Sequence, residues 1–446
     1  MLANLILLAF VAAQAVCARF VMYLDEYHKT ILPGPNITTG IDHVIISAAK
    51  STLFTTDPAE PFEPFMSVAN VTNLFDKGTK VLIAVGNWGD NAGFSLAATN
   101  ETTRALFSKN VAATLDTLGA DGVDIDWEYP GGNGDDYKKI PNSERVSEIE
   151  TFPLLLAEIR AAIGPCKLLS IAVPGKEVDM IAYTPEQAPK IWESVDFVNL
   201  MTYDLMNRRN NMTTHHTGVQ NSLETVDRYL ALGLDPQKIN LGFAYYAKWF
   251  TTSPIGDCGE NPIGCPTDVL ENPDGTDAGK SGAITFEKGN MAPAPENLEV
   301  STDAQCGAAV GMRCEPGLCC SQYGSCGNTA EHCGLTCLPS YGDCPGPTIS
   351  SSWLSALADS KTDTQGGGQY FWDADANIFW TWDTPELMRE KFENIVGDKG
   401  LGGVMAWSLG EDSESWRHIG AMREGVKNSV AAPGCRKKKA SGDRGL

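Results

Sequence analysis

An α/β protein built as a (β/α)8 (TIM) barrel is predicted by three observations. Eight short apolar runs recur along the chain, amphipathic stretches of helical period separate them, and the fourth run ends in acids at every second position. The runs cover residues 20–24, 44–48, 81–85, 123–127, 168–173, 197–203, 239–245 and 404–408. Helical patterns over 103–118, 147–163, 223–232 and 385–396 lie between them.

The fourth run carries the chemistry. Residues of one parity share a face of a strand, so Asp124, Asp126 and Glu128 line up opposite Val123, Ile125 and Trp127. A buried strand has no structural reason to collect three carboxylates, since each costs free energy to desolvate. Crowded carboxylates raise one another's pKa, which keeps one protonated as a general acid. Pro130-Gly131-Gly132 breaks the strand behind them, so the acids sit at a C-terminal strand end, where barrels place their active sites. Asp121 has the other parity and is read as structural. This pattern is that of a hydrolase site.

The spacing fails between the seventh and eighth runs. Residues 251–384 are too long for a barrel loop and rich in Gly, Pro and Cys; 370–372 and 378–382, joined by Asp373-Ala374-Asp375-Ala376-Asn377, read as a hairpin returning to the barrel. The expected organisation is barrel strands one to seven over 19–250, an insertion segment over 251–302 and a cysteine-rich module over 303–346. The returning hairpin covers 347–384, the eighth strand and closing helices 385–430. The polar tail over 431–446 holds Arg436-Lys437-Lys438-Lys439, a charge run read as a solvated end.

At 446 residues the chain suits a barrel with insertions, and a formal charge of −22 argues against nucleic acid or an anionic membrane as partner. Residues 1–18 carry an uncharged apolar run ending in Val16-Cys17-Ala18, read as a secretory signal; the alternative is a buried N-terminal helix. Removing it leaves twelve of the thirteen cysteines, an even number suited to an oxidising compartment. Asn36, Asn70, Asn100 and Asn211 each open a glycosylation sequon. The expectation is a secreted, extracellular, monomeric protein. No metal or cofactor is implied: the His215-His216 doublet lacks further ligands and is read as a surface loop.

The string Asp121-X-X-Asp124-X-Asp126-X-Glu128, ending in Tyr129-Pro130, resembles the signature of glycoside hydrolase family 18, the chitinases. The resemblance runs from Phe20 to about Val430 and includes Met201-Thr202-Tyr203-Asp204 on the sixth strand and Gly402-Gly403-Val404-Met405-Ala406-Trp407-Ser408 on the eighth. It implies the (β/α)8 fold and a retaining, substrate-assisted cleavage of chitin and its oligosaccharides. There Glu128 would donate the proton and later activate water, while the sugar's acetamido oxygen attacks the anomeric carbon to give an oxazolinium ion. Asp126 would hold the acetamido N–H, Asp124 would share a proton with Asp126, and Tyr203 would donate to the acetamido oxygen. Trp407 would floor the sugar, with Met201 and Asp204 lining the pocket. The third strand departs from the family: Ala84-Val85-Gly86-Asn87 stands where Ser-X-Gly-Gly is common, which removes a serine hydrogen bond beneath the carboxylates. The competing readings are a decayed site that binds sugar without cutting it, and an enzyme acting on the chitobiose core of N-glycans.

Eight cysteines between Cys306 and Cys344 surround an adjacent pair, Cys319-Cys320. So small a unit cannot bury enough apolar surface and needs covalent staples; a zinc site fits the spacing poorly. The run Cys319-Cys320-Ser321-Gln322-Tyr323-Gly324-Ser325-Cys326-Gly327 resembles hevein, the type 1 chitin-binding module. That resemblance implies the pairs Cys306–Cys320, Cys314–Cys326, Cys319–Cys333 and Cys337–Cys344. It also implies a sugar site at Ser321, Tyr323, Ser325 and His332, the last two standing where aromatics are common. A disulfide knob without sugar binding is the alternative. Outside the module, Cys258 and Cys265 read as a local disulfide, and Cys166 and Cys435 remain over.

Overall fold

Alternation along the apolar runs sorts their side chains onto two faces, and the fold uses both. In the computed structural model, which describes residues 18–28, 32–254, 258–259, 261–293 and 295–431, the runs become eight parallel strands of a closed barrel. These are β1 (Arg19–Asp25), β2 (His43–Ala49), β3 (Lys80–Val85), β4 (Gly122–Ile125), β5 (Leu168–Pro174), β6 (Phe197–Met201) and β7 (Ile239–Ala244), closed by a strand near the C-terminus. Phe20, Met22 and Leu24 of β1 face outward into a large core shared with the helices, while Val21 and Tyr23 face inward. Trp127 joins the outer core, stacked on Phe94 with ring centroids 5.3 Å apart, worth about 1 kcal/mol beyond its burial. Asp121 accepts hydrogen bonds from Val81 N and Lys80 Nζ at the opposite end of the strand from the site, a structural role.

The helix Glu101–Leu118 starts earlier than its apolar pattern because Asn100 caps it, accepting from Thr103 N, and it stops at Gly119 with φ 69°. The pattern over 385–396 divides into an α-helix, Pro385–Lys391, and wider π turns over Phe392–Gly397.

The insertion is more elaborate than a returning hairpin. Strands β8 (Tyr246–Thr251), β9 (Ser281–Thr285), β10 (Lys361–Asp363), β11 (Gly368–Asp373) and β12 (Ile378–Trp382) form one antiparallel sheet in the order β10-β11-β12-β8-β9. It begins at Tyr246, before the boundary expected at residue 251, because only Tyr245 separates β7 from β8. The chain then returns as β13 (Gly403–Trp407), which pairs with β7 and β1 to close the barrel. Trp353, Trp380 and Trp382 fill the insertion's core; Trp372 is half-buried, its indole N–H donating to Thr252 Oγ1 at 3.1 Å.

The expected surface loop at His215-His216 is instead buried, with exposures of 3% and 0%. His215 bridges Thr381 and Asp363 of the insertion sheet at 3.1 and 3.0 Å, and His216 lies against the Tyr246 ring. Two-sided packing by the insertion, invisible in a local charge pattern, is the reason.

Disulfides join Cys306–Cys320, Cys314–Cys326, Cys319–Cys333, Cys337–Cys344 and, outside the module, Cys258–Cys265. The module's core is small: Cys306, Cys314 and Cys320 with Leu318, Leu338 and Tyr341 around them. Cys166 is an exposed free thiol; Cys435, the basic tail and residues 1–17 lie outside the described residues. Asn36, Asn70, Asn100 and Asn211 are all exposed. Among the described residues no helix is long and apolar enough to cross a membrane.

Candidate active site

A cleft of about 950 Å³ opens at the C-terminal end of the barrel strands, lined by Asp126, Glu128, Met201, Tyr203, Asp204, Trp407 and residues of the insertion. The acids stand on and just beyond β4, and their approach depends on Gly86. With φ 87°, Gly86 leaves room that a Cβ would take 2.4 Å from the Asp126 carbonyl oxygen and 2.5 Å from the Phe94 ring.

Asp124 is fully buried within the barrel. It accepts hydrogen bonds from Tyr23 OH at 2.7 Å, Ser170 Oγ at 2.6 Å and Asn199 Nδ2 at 3.1 Å. Asn240 and Arg19 continue this polar ladder toward the barrel's other end. The register explains how the missing third-strand serine is replaced. Ala84 is level with Asp124 on one side, and Ser170 on β5 is level with it on the other. The hydroxyl therefore comes from the opposite neighbour. Burial pushes the Asp124 carboxyl up, and its three donors pull against that rise.

Asp126 is buried, and its Oδ1 has no hydrogen-bond partner among the described residues. Burial pushes its carboxyl well above the ordinary range, with the charges of Glu128 and Asp124 adding to the effect. The mutual repulsion expected from the spacing is thus present, but desolvation is the larger cause. Glu128 is half-buried at the cleft, and burial pushes it up to about 7; Asp204 and Asp179 reinforce the rise while Tyr129 and Arg209 oppose it. A carboxyl at that value holds a proton near neutrality and can also lose it, as a general acid/base requires.

Among the described residues the Tyr203 hydroxyl has one hydrogen-bond partner, the Met405 sulfur at 3.8 Å, and burial keeps the phenol protonated. Trp407 packs on Tyr23 with centroids 5.6 Å apart and faces the cleft beside Met201. Asp204 accepts from Tyr246 OH at 2.9 Å and pairs with Lys248 at 3.0 Å. Burial opposes its ionisation, but Lys248 and His216 outweigh that and hold it well below the usual carboxylate range. Glu128, Asp126, Tyr203, Trp407, Met201 and Asp204 therefore share one cleft, with Asp124 beneath.

The sequence reading missed Tyr23, Ser170 and Asn199 under Asp124, and Tyr246 and Lys248 behind Asp204. It also missed Trp88, whose 43% exposed ring stands in the cleft with the Arg209 guanidinium 5.3 Å from its centroid. Trp88 follows Gly86-Asn87 directly at the end of the third run, which was its available signal. In the module, Ser321 Oγ lies 2.9 Å from Ser325 Oγ, and Ser325 Oγ lies 3.4 Å from His332 Nε2. The Tyr323 ring beside them is 84% exposed. None of these four lines the barrel cleft.

The chain is 30% identical over 236 residues to Chitotriosidase-1 of Mus musculus, covering 48% of this chain and 46% of that protein. It is 28% identical over 194 residues to Chitinase 1 of Aphanocladium album, covering 41% and 44%. It thus spans less than half the length of these curated relatives. In fold it is similar to catalytic domain 2 of the Group II chitinase of Ostrinia furnacalis, with a TM-score of 0.62, 20% identity and coverage of 92% and 97%. A chitinase of Cycas revoluta solved with (GlcNAc)4 gives a TM-score of 0.61 at 19% identity, covering 92% and 99%. At these identities the likeness carries the fold. The model described as Glycosyl hydrolases family 18 matches residues 19–412, spanning the barrel, the insertion and every cleft residue described above, and the chain belongs to that family.

Proposed function

We propose that this chain is a secreted chitinase that hydrolyses β-1,4-linked N-acetylglucosamine polymers with retention of anomeric configuration. Glu128 protonates the departing glycosidic oxygen while the substrate's own acetamido oxygen attacks the anomeric carbon, forming an oxazolinium ion; Glu128 then takes a proton from the water that opens it. Asp126, with its unpartnered buried Oδ1, accepts the acetamido N–H and stabilises the positive charge. Asp124 supports Asp126 from below, and Tyr203 donates its hydroxyl to the acetamido oxygen. Trp407 gives the flat floor for the sugar's C–H face, with Met201 and Asp204 at its side.

The observation that carries this reading is the meeting of Glu128, held protonated up to about 7, with Asp126 and Tyr203 in one cleft. A binder without turnover has no use for a carboxyl so poised. Ser321, Tyr323, Ser325 and His332 would let the module rest on solid chitin, which favours chitin over the N-glycan core as substrate. The apolar leader and the exposed sequons at Asn36, Asn70, Asn100 and Asn211 support export and glycosylation. Incubation with chitin oligomers, followed by proton NMR, should show shorter products appearing first as the β-anomer. Glu128→Gln should lower kcat by about 10²–10⁴-fold while leaving oligomer binding intact. Full turnover in that variant, or a first-formed α-anomer, would falsify the assignment.

A further inference from the structure

At the edge of the cleft, which Asp25 lines, three carboxylates converge on one imidazole. His28 Nδ1 lies 2.9 Å from Asp25 Oδ1 and 3.6 Å from Glu411 Oε1; on the ring's other side Nε2 lies 3.7 Å from Glu287 Oε2. These groups come from distant segments: the end of β1, the turn after β13 and the turn after β9 in the insertion. Glu411 is only 5% exposed, and its Oε2 is a buried oxygen with no hydrogen-bond partner among the described residues. His28 is the only cationic partner found for the three acids among those residues. A buried carboxyl oxygen without a partner is costly, and a cation held at the cluster would remove that cost.

We propose that Asp25, His28 and Glu411 form a binding site for a divalent cation of the zinc type. Ligand atoms about 2.0–2.1 Å from a tetrahedral ion stand about 3.3 Å from one another. The observed 2.9 and 3.6 Å bracket that value, and one oxygen or nitrogen from each of the three residues falls within 4.8 Å of the others. An imidazole among carboxylates selects zinc over calcium, which takes oxygen ligands.

The surroundings are those of a built site. Asp25 is oriented by Ser408 Oγ on Oδ2 and by the backbone N–H groups of Tyr27 and His28 on Oδ1. Glu287 faces the imidazole nitrogen that does not ligate, the place where a carboxylate commonly fixes a metal-bound histidine. The two main chains approach closely because residue 410 is glycine: a Cβ there would stand 1.9 Å from the His28 carbonyl oxygen. Since Ser408 follows Trp407 directly, the ion would tie β1, β13 and the insertion together behind the cleft floor.

The test is calorimetry on the full chain, stripped with chelator and titrated with zinc chloride near neutral pH. One zinc per chain should bind, and the melting temperature should rise with zinc concentration by mass action. His28→Gln and Glu411→Gln should each weaken binding more than tenfold, and Glu287→Gln, at a partly exposed outer position, by about tenfold. Circular dichroism identifies any variant that fails to fold, and the milder Glu287→Gln keeps the test decisive in that event. Absence of zinc binding overturns the proposal, as do variants that bind like the parent chain or a preference for calcium.

Discussion

Glu128 is held in its protonated form by its surroundings, and that has a consequence for stability as well as for catalysis. Its carboxyl ionises near 4.5 when unfolded and at about 7 in the fold. Below pH 4.5 both states are protonated, and nothing distinguishes them. Between 4.5 and about 7 the unfolded chain loses its proton first, so folding becomes progressively less favourable; above about 7 the loss is complete. Glu128→Gln lacks this penalty. Its stability advantage over the parent should grow across that window and level off at about 3 kcal/mol, measured by urea denaturation at a series of pH values. A constant offset would show that the carboxyl is not perturbed. On the proposed mechanism, the parent chain's kcat/KM should fall as pH rises through about 7, when Glu128 loses its proton. Ser170→Ala removes the shortest hydrogen bond to Asp124, at 2.6 Å, while Tyr23 and Asn199 remain. The expected result is about a tenfold loss in kcat/KM with a displaced pH profile; unchanged kinetics would mean that Ser170 does not position the acid. The alternating acids were legible in the sequence because they follow one another at every second position where a single strand ends. Ser170 and Tyr23 were not, being 46 and 101 residues from Asp124 and meeting it only through barrel closure.

At the scale of elements, the barrel and its insertion are joined by buried polar contacts as well as by the core. Lys391, on the helix after the insertion, donates to Asp383 Oδ2 at 2.6 Å and to Thr217 Oγ1 at 2.8 Å, with both members of the ion pair 0% exposed. Burial pulls the Lys391 ammonium below its usual value, and Asp383 resists that change. Lys391→Met keeps the side chain's bulk but leaves a buried carboxylate beside Thr217. It should cost about 3–5 kcal/mol in a denaturation series, and adding Asp383→Leu should recover much of that loss. If the single variant costs under about 1 kcal/mol, water reaches the pair and the description of it as sealed fails. The eight strands were legible because each is a short apolar run bounded by turn residues. The sheet of the insertion was not, because β8 continues β7 almost without a break and pairs with β12 more than a hundred residues later. Long-range antiparallel pairing leaves little local trace.

At the scale of the whole molecule, an acidic chain of formal charge −22 is proposed to work on a neutral, insoluble polymer, so long-range attraction contributes nothing to its capture. Retention must come from contact: the C–H faces of sugars on exposed rings, with hydroxyls bonded at the edges. The module offers one such ring, Tyr323 at 84% exposure, beside the connected hydroxyls and imidazole of Ser321, Ser325 and His332. One ring gives modest affinity, and its value lies in raising the local concentration of the barrel at the polymer surface. Deleting residues 303–346 should therefore reduce retention on solid chitin while turnover of soluble oligomers persists, because no module residue lines the cleft. Tyr323→Ala is the finer probe, since it leaves all four of the module's disulfides in place. It should weaken retention by about 1–2 kcal/mol, or roughly tenfold, with the deficit unchanged when salt is raised. Loss of retention that tracks ionic strength would point to charge rather than stacking, and equal retention by both variants would leave the module a stapled spacer on the barrel's insertion.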